Sequence, residues 1–123
     1  MKFLCLCYYD AAKFAAMTPE DGEKIRELCD PHDKALKESG HLAFVGSLGM
    51  PEDARTLRVV GETTEPEDGP FAATGEPLGA FFMIDAADMD EAVKVASMHP
   101  GVRLGHIFGG GIEIRPIEGF EAI

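Results

Sequence analysis

Three stretches of this chain are apolar without alternation. Lys2 to Tyr9 runs Phe3-Leu4-Cys5-Leu6-Cys7-Tyr8-Tyr9, and Leu42 to Leu48 and Gly79 to Ile84 behave alike. A strand with one wet face alternates, so these three are expected to be covered on both faces. Gly111 to Arg115 does alternate, Ile112 and Ile114 against Glu113 and Arg115, as befits a strand with one exposed face. A further strand fits Thr56 to Val60. Helical spacing appears twice. Thr18 as N-cap, Pro19 at the first position and Glu20 and Asp21 in the first turn open one helix. Its apolar stripe is Ile25, Leu28, Cys29, Ala35 and Leu36, with Gly40 as the stop. Pro31 is expected to kink or split it near Cys29-Asp30. The second helix begins at Asp88, with Glu91 three residues on as in a capping box. It turns Ala92, Val93 and Ala96 inward and ends at His99-Pro100-Gly101. Glu62 to Gly75 is expected to be a long loop.

The order strand, helix, strand, strand, helix, strand is the split βαβ, ferredoxin-like α+β arrangement: an antiparallel sheet with two helices on one face. Length allows one domain, residues 1–123. Two helices cover one face only, yet three strands are apolar on both. A second copy of the chain is the simplest cover, so a homodimer is expected.

Charge narrows the partners. The chain has 22 acidic and 11 basic residues, a formal net charge of −11, with the bases scattered. No basic stripe exists to track a phosphate backbone or an anionic membrane surface, so neither nucleic acid nor membrane is an expected partner. No apolar run reaches spanning length, and the start, Met1 to Cys7, is broken by Tyr8-Tyr9-Asp10 too early for a signal peptide. Cys5, Cys7 and Cys29 fit small buried hydrophobes in a reducing cytoplasm better than a disulfide framework. There is no Cys-x-x-Cys or His-x-x-x-His, and Gly109-Gly110-Gly111 leads into a strand rather than a helix N-terminus. No metal and no cofactor is therefore expected.

Acid–base chemistry has four histidines to draw on. His32 lies on the inward stripe of the first helix, either as a core histidine held by a backbone carbonyl or as a catalytic group. Asp30 and Asp33 flank it but face elsewhere on a regular helix. His99 ends the second helix, as a C-terminal cap or a functional group. His41 heads a strand at a solvent edge, and His106 lies in the glycine-rich loop. Among the aromatics, Tyr8 and Phe71 are candidates to line a small apolar pocket, with Arg58 as a polar contact for a small-molecule ligand.

The run Asp68-Gly69-Pro70-Phe71 fixes a rigid turn leading to the strand that begins at Leu78-Gly79. Together with Thr56-Leu57-Arg58 before it and Gly111-Ile112-Glu113-Ile114-Arg115-Pro116-Ile117 near the end, it resembles the YCII-related family, in the branch named for its Asp-Gly-Pro-Phe motif. The resemblance implies a dimeric α+β barrel with two sheets face to face. In the wider family a His on or near the first helix and an Asp after the second form the proposed acid–base pair. Carried over, the first position falls on His32, or on Cys29 if the register shifts, and the second on His99, which leaves Asp68 as the carboxylate next in reach. Asp68 can equally be a turn former bonding its own loop. Many relatives read Phe-Ala-Glu-Thr-Lys-Glu after the motif, where this chain has Phe71-Ala72-Ala73-Thr74-Gly75-Glu76.

Two function classes follow from the resemblance. One is a cofactor-independent small-molecule enzyme of isomerase or lyase type, since a dehydrochlorinase-like activity is known in the wider family. The other is a non-catalytic ligand-binding or regulatory module, since members of the branch are often encoded beside extracytoplasmic-function sigma factors. A third, a dimer with a purely structural role, is left open by the sequence. Fold-level analogy separates them poorly.

Overall fold

The computed structural model describes residues 1–123. Four strands form one antiparallel sheet: β1 (Lys2–Tyr8), β2 (Leu42–Ser47), β5 (Leu78–Asp85) and β6 (Gly111–Pro116), in the order β2-β5-β1-β6. The helices are α1 (Ala11–Ala15), α2 (Pro19–Glu38), α3 (Met89–Ala96), α4 (Pro100–Arg103) and α5 (Gly105–Phe108). With α2 and α3 as the two crossovers this is the ferredoxin-like βαββαβ arrangement, helices on one face. Strands β3 (Arg55–Val60) and β4 (Thr63–Asp68) form a separate two-stranded ribbon inserted between β2 and β5.

The core forms where the strands meet the helices. Successive residues of a strand point to opposite faces. Phe3 and Cys5 of β1 pair with Ile84 and Phe82 of β5, and all four are sealed against Leu36 of α2 and Ala92, Val95 and Ala96 of α3. The alternate residues Leu4, Leu6, Phe44 and Phe81 lie on the other face, which no element of the chain covers, and are partly exposed.

Local chemistry sets the ends. Thr18 Oγ1 accepts from the Asp21 N–H at 3.2 Å while Asp21 Oδ2 accepts from the Thr18 N–H at 2.9 Å, a complete capping box. Gly40, at a φ of 81°, takes the left-handed position after α2. Asp88 accepts from the Glu91 N–H at 2.9 Å, and Glu91 reaches back to the Ala87 N–H at 3.1 Å.

Several sequence expectations are corrected. The helix does not split at Pro31: α2 runs through it, because Pro31 and Glu27, whose carbonyl loses its N–H partner there, are both exposed and water can serve that carbonyl. Leu28 is exposed, and Leu36 is the fully buried residue of α2. Val93 faces solvent and Val95 takes the inward place in α3. The expected loop 62–75 contains β4 over six residues, whose exposure gives no burial pattern to read. A Cβ on Gly110, at a φ of 60°, would stand 2.2 Å from the Tyr8 carbonyl oxygen, so the close approach to β1 requires glycine.

Candidate functional site

At the Tyr8 end of the sheet the chain leaves a cavity of about 440 Å³. Several parts build its wall, Ser47 to Met50 at the end of β2 and Phe108 of α5 among them. Cys7, Tyr8, Gly79 and Ala80 come from β1 and β5, Cys29 and Asp33 from α2, Phe14 from α1, and His99 and Gly101 from the start of α4. The register of β1 on β5 slips between Cys7 and Tyr8, a bulge at the cavity's edge. Tyr9 brings its Cδ1–Cε1 edge against the backbone of Gly79, where a Cβ would meet it at 2.7 Å, and packs edge-on against Phe14 at 5.6 Å. The floor is thus aromatic and needs Gly79 to stay so.

His99 is held from three sides. Its ring stacks on Phe82, 4.7 Å between centroids and 4° from parallel. Its Nδ1 accepts the Gly101 N–H at 2.9 Å and so caps the N-terminus of α4. Burial holds the imidazole below its ordinary 6.5, and the Asp33 carboxylate pulls in the opposite direction without cancelling it. The consequence is a fixed tautomer. A neutral imidazole has one N–H, and with Nδ1 committed as acceptor the proton sits on Nε2. His99 therefore offers a neutral N–H donor, and the sequence-based reading of it as a C-terminal cap is reversed: it begins a helix.

Asp33 supplies the carboxylate. Asp10 also borders the cavity, but its Oδ1 already accepts from the Ala12 and Lys13 N–H groups, at 2.9 and 3.2 Å. No lysine or arginine lines the cavity. Burial pushes the thiols up, Cys5 to about 12 and Cys7 to about 11, and raises Cys29 as well, so none is a ready thiolate. No group of three or more His, Cys, Asp or Glu side chains is gathered as metal ligands.

The sequence-predicted residues scatter. His99 and Tyr8 line the cavity; His32, half-buried on α2, does not. Asp68 sits at the end of β4, exposed, its Oδ1 3.3 Å from Arg55 Nε. Phe71 lies beside an adjoining groove of about 770 Å³ that shares Tyr8 with the cavity. Arg58 covers the Phe71 ring at 4.4 Å and donates to its carbonyl at 2.7 Å, so those two are tied to each other. His41 bonds the Asp85 carbonyl at 2.8 Å, and His106 is exposed on α5. Asp33 was missed, yet a signal existed: it lies four residues after Cys29, already on the inward stripe, and so shares its face.

The YCII-related domain model matches residues 1–121. An uncharacterised protein of Rhizobium meliloti (strain 1021) is 32% identical over 121 residues, covering 95% of this chain and 92% of that relative. Among solved structures, 5-chloro-2-hydroxyhydroquinone dehydrochlorinase from Burkholderia phenoliruptrix AC1100, in complex with 2,5-dihydroxybenzoquinone, superposes with a TM-score of 0.50. It is 17% identical, and the match covers 96% of this chain and 94% of that one, a likeness of fold.

Proposed function

Since the chain belongs to the YCII-related domain family, we propose that it is a cofactor-independent small-molecule enzyme that moves a proton between Asp33 and a ligand held against His99. The observation that carries this reading is the pairing in one apolar cavity of an uncommitted carboxylate with a neutral Nε2–H donor. Asp33 takes a proton from a carbon or hydroxyl next to a carbonyl; the His99 Nε2–H bonds the oxygen on which negative charge develops. The family's expected order, His on the first helix and Asp after the second, is exchanged here: the carboxylate is on α2 and the imidazole follows α3. The exchange keeps both partners at one site. An aromatic floor and the absence of a cation favour an uncharged planar ring compound, and the ring ligand bound by the dehydrochlorinase neighbour is in keeping with that. Isomerisation or elimination is the reaction class. Asp68-Gly69-Pro70-Phe71 supports the finer branch, and three free cysteines support a reducing cytoplasm. The bare apolar face of the sheet supports a second copy packed upon it.

Solvent-deuterium exchange into small hydroxylated enones and quinones, followed by NMR, tests the reading. Asp33→Asn is expected to slow exchange about 10²–10⁴-fold with the fold kept. Ligand binding that ignores Asp33→Asn, with no exchange in the wild type, would replace the enzyme by a binding or regulatory module. No helix is long and apolar enough to cross a membrane.

A further inference from the structure

The β3–β4 ribbon is built the wrong way round for a single chain. Its register pairs Arg55 with Asp68, Leu57 with Pro66 and Val59 with Thr64 on one face. Thr56, Arg58, Val60, Thr63, Glu65 and Glu67 share the other, polar but for Val60. The polar face is the less exposed one: Thr56 and Arg58 are half-buried, and both bond the loop that directly follows β4, Thr56 Oγ1 donating to the Gly69 carbonyl at 2.9 Å and Arg58 to that of Phe71. The apolar face points to solvent, with Leu57 72% and Val59 77% exposed. A two-stranded ribbon alone is at best marginally stable in water, so its apolar face calls for a cover.

Area and charge identify the cover. A compact monomer of 13.2 kDa exposes roughly 6,400 Å². This chain exposes 8431 Å². The surplus, roughly 2,000 Å² per chain, is what a large self-association interface takes up. A chain of net charge −11 repels its own copy, so a self-contact must be locally neutral. The outward face of the ribbon meets that condition: its only charges, Arg55 and Asp68, neutralise each other at 3.3 Å, while the surplus acids face elsewhere. Pro66 also deprives the β4 edge of a donor, which turns the contact from the edge to the face.

We propose that the β3–β4 ribbon is an arm that clasps a second copy of this chain, laying Leu57, Val59 and Pro66 against it. The proposal rests on the second copy inferred above and adds a second element to that contact. Sedimentation equilibrium compares the wild type with the Leu57→Glu, Val59→Glu double variant, and a photo-reactive benzoylphenylalanine at Val59 reports the contact without disturbing the dimer. The double variant is expected to weaken the dimer about a hundredfold or more, and irradiation to give a band of twice the chain mass. An unchanged dimer with no crosslink overturns the arm and leaves a dimer through the sheet face intact. A wild type that is monomeric at tens of micromolar overturns both. If the double variant loses the ribbon's own structure, the crosslink alone decides.

Discussion

Phe81 and Phe82 are neighbours on one strand and live in different worlds. Phe82 points at the helices and is sealed beneath α3 and the His99 ring; Phe81 points to the bare face, its ring over Gly46 and against the edge of Phe44, 6.1 Å away. The sequence around them is uniformly apolar, so hydrophobicity does not explain the difference. Coverage does. On the helix face Phe3, Cys5, Phe82 and Ile84 have already left water and contribute to the stability of one chain; Val45 at the β2 edge is still exposed. On the bare face Met83 alone is buried by its neighbours, and for Leu4, Leu6, Phe44 and Phe81 most of the same chemistry contributes when something else arrives.

The largest effect expected is therefore on the covered face. Phe82→Ala removes a fully buried aromatic and leaves a cavity, which costs about 3–5 kcal/mol in denaturant unfolding. It also takes away the ring on which His99 rests, so catalysis or ligand binding should fall more than Asp33→Asn alone explains. A loss under about 1 kcal/mol would mean that the helix face is not the core.

Phe81→Asp comes next. Within one chain the residue is partly exposed, so its replacement should cost no more than about 1 kcal/mol. Its effect is expected on the proposed second copy: the unfolding midpoint should depend on concentration in the wild type and become independent of it in Phe81→Asp. Gly46 sharpens the point from across the strand pair. A Cβ there would stand 2.4 Å from the Phe81 ring tip, so Gly46→Ala must swing that ring and should weaken association while sparing the monomer. If Phe81→Asp destabilised the single chain as much as Phe82→Ala, the difference between the two faces would be void.

What was legible follows the same division. Features written in consecutive residues came through: the caps at Thr18 and Asp88, the glycine stop at Gly40, the unbroken apolar strands and their ferredoxin-like order. Asp10, with Ala-Ala after it, could have signalled α1, but five residues make too short a period to recognise. The ribbon was half legible, because Thr56 to Val60 alternates whereas Thr63-Thr64-Glu65-Pro66-Glu67-Asp68 has no apolar side to show. The site was the least legible part. It is assembled from segments near residues 7 to 17, from 29 and 33, and from 47 to 50, 79 to 80, 99 to 101 and 108, and nothing local says that these ends converge. His99 was found because histidine attracts notice, and Asp33 was passed over because one acid among 22 does not.

The smallest effect is electrostatic and bears on that convergence. Burial lowers the affinity of His99 for a proton in the folded chain, below the 6.5 of the free side chain. Between those two values the unfolded chain binds the proton and the folded chain does not, so stability rises with pH across that window. His99 thus imposes no penalty above pH 6.5; the penalty grows as pH falls below it and levels off once the folded value is passed. NMR titration of the ring should give a midpoint under 6.5. Asp33 pulls in the other direction, so Asp33→Asn should move the midpoint lower still. A midpoint that stays put in Asp33→Asn would mean that the carboxylate does not reach the ring, and the proposed pair would lose its base. A midpoint that falls would show the two converging on one cavity, with His99 kept neutral to donate from Nε2 while Asp33 accepts.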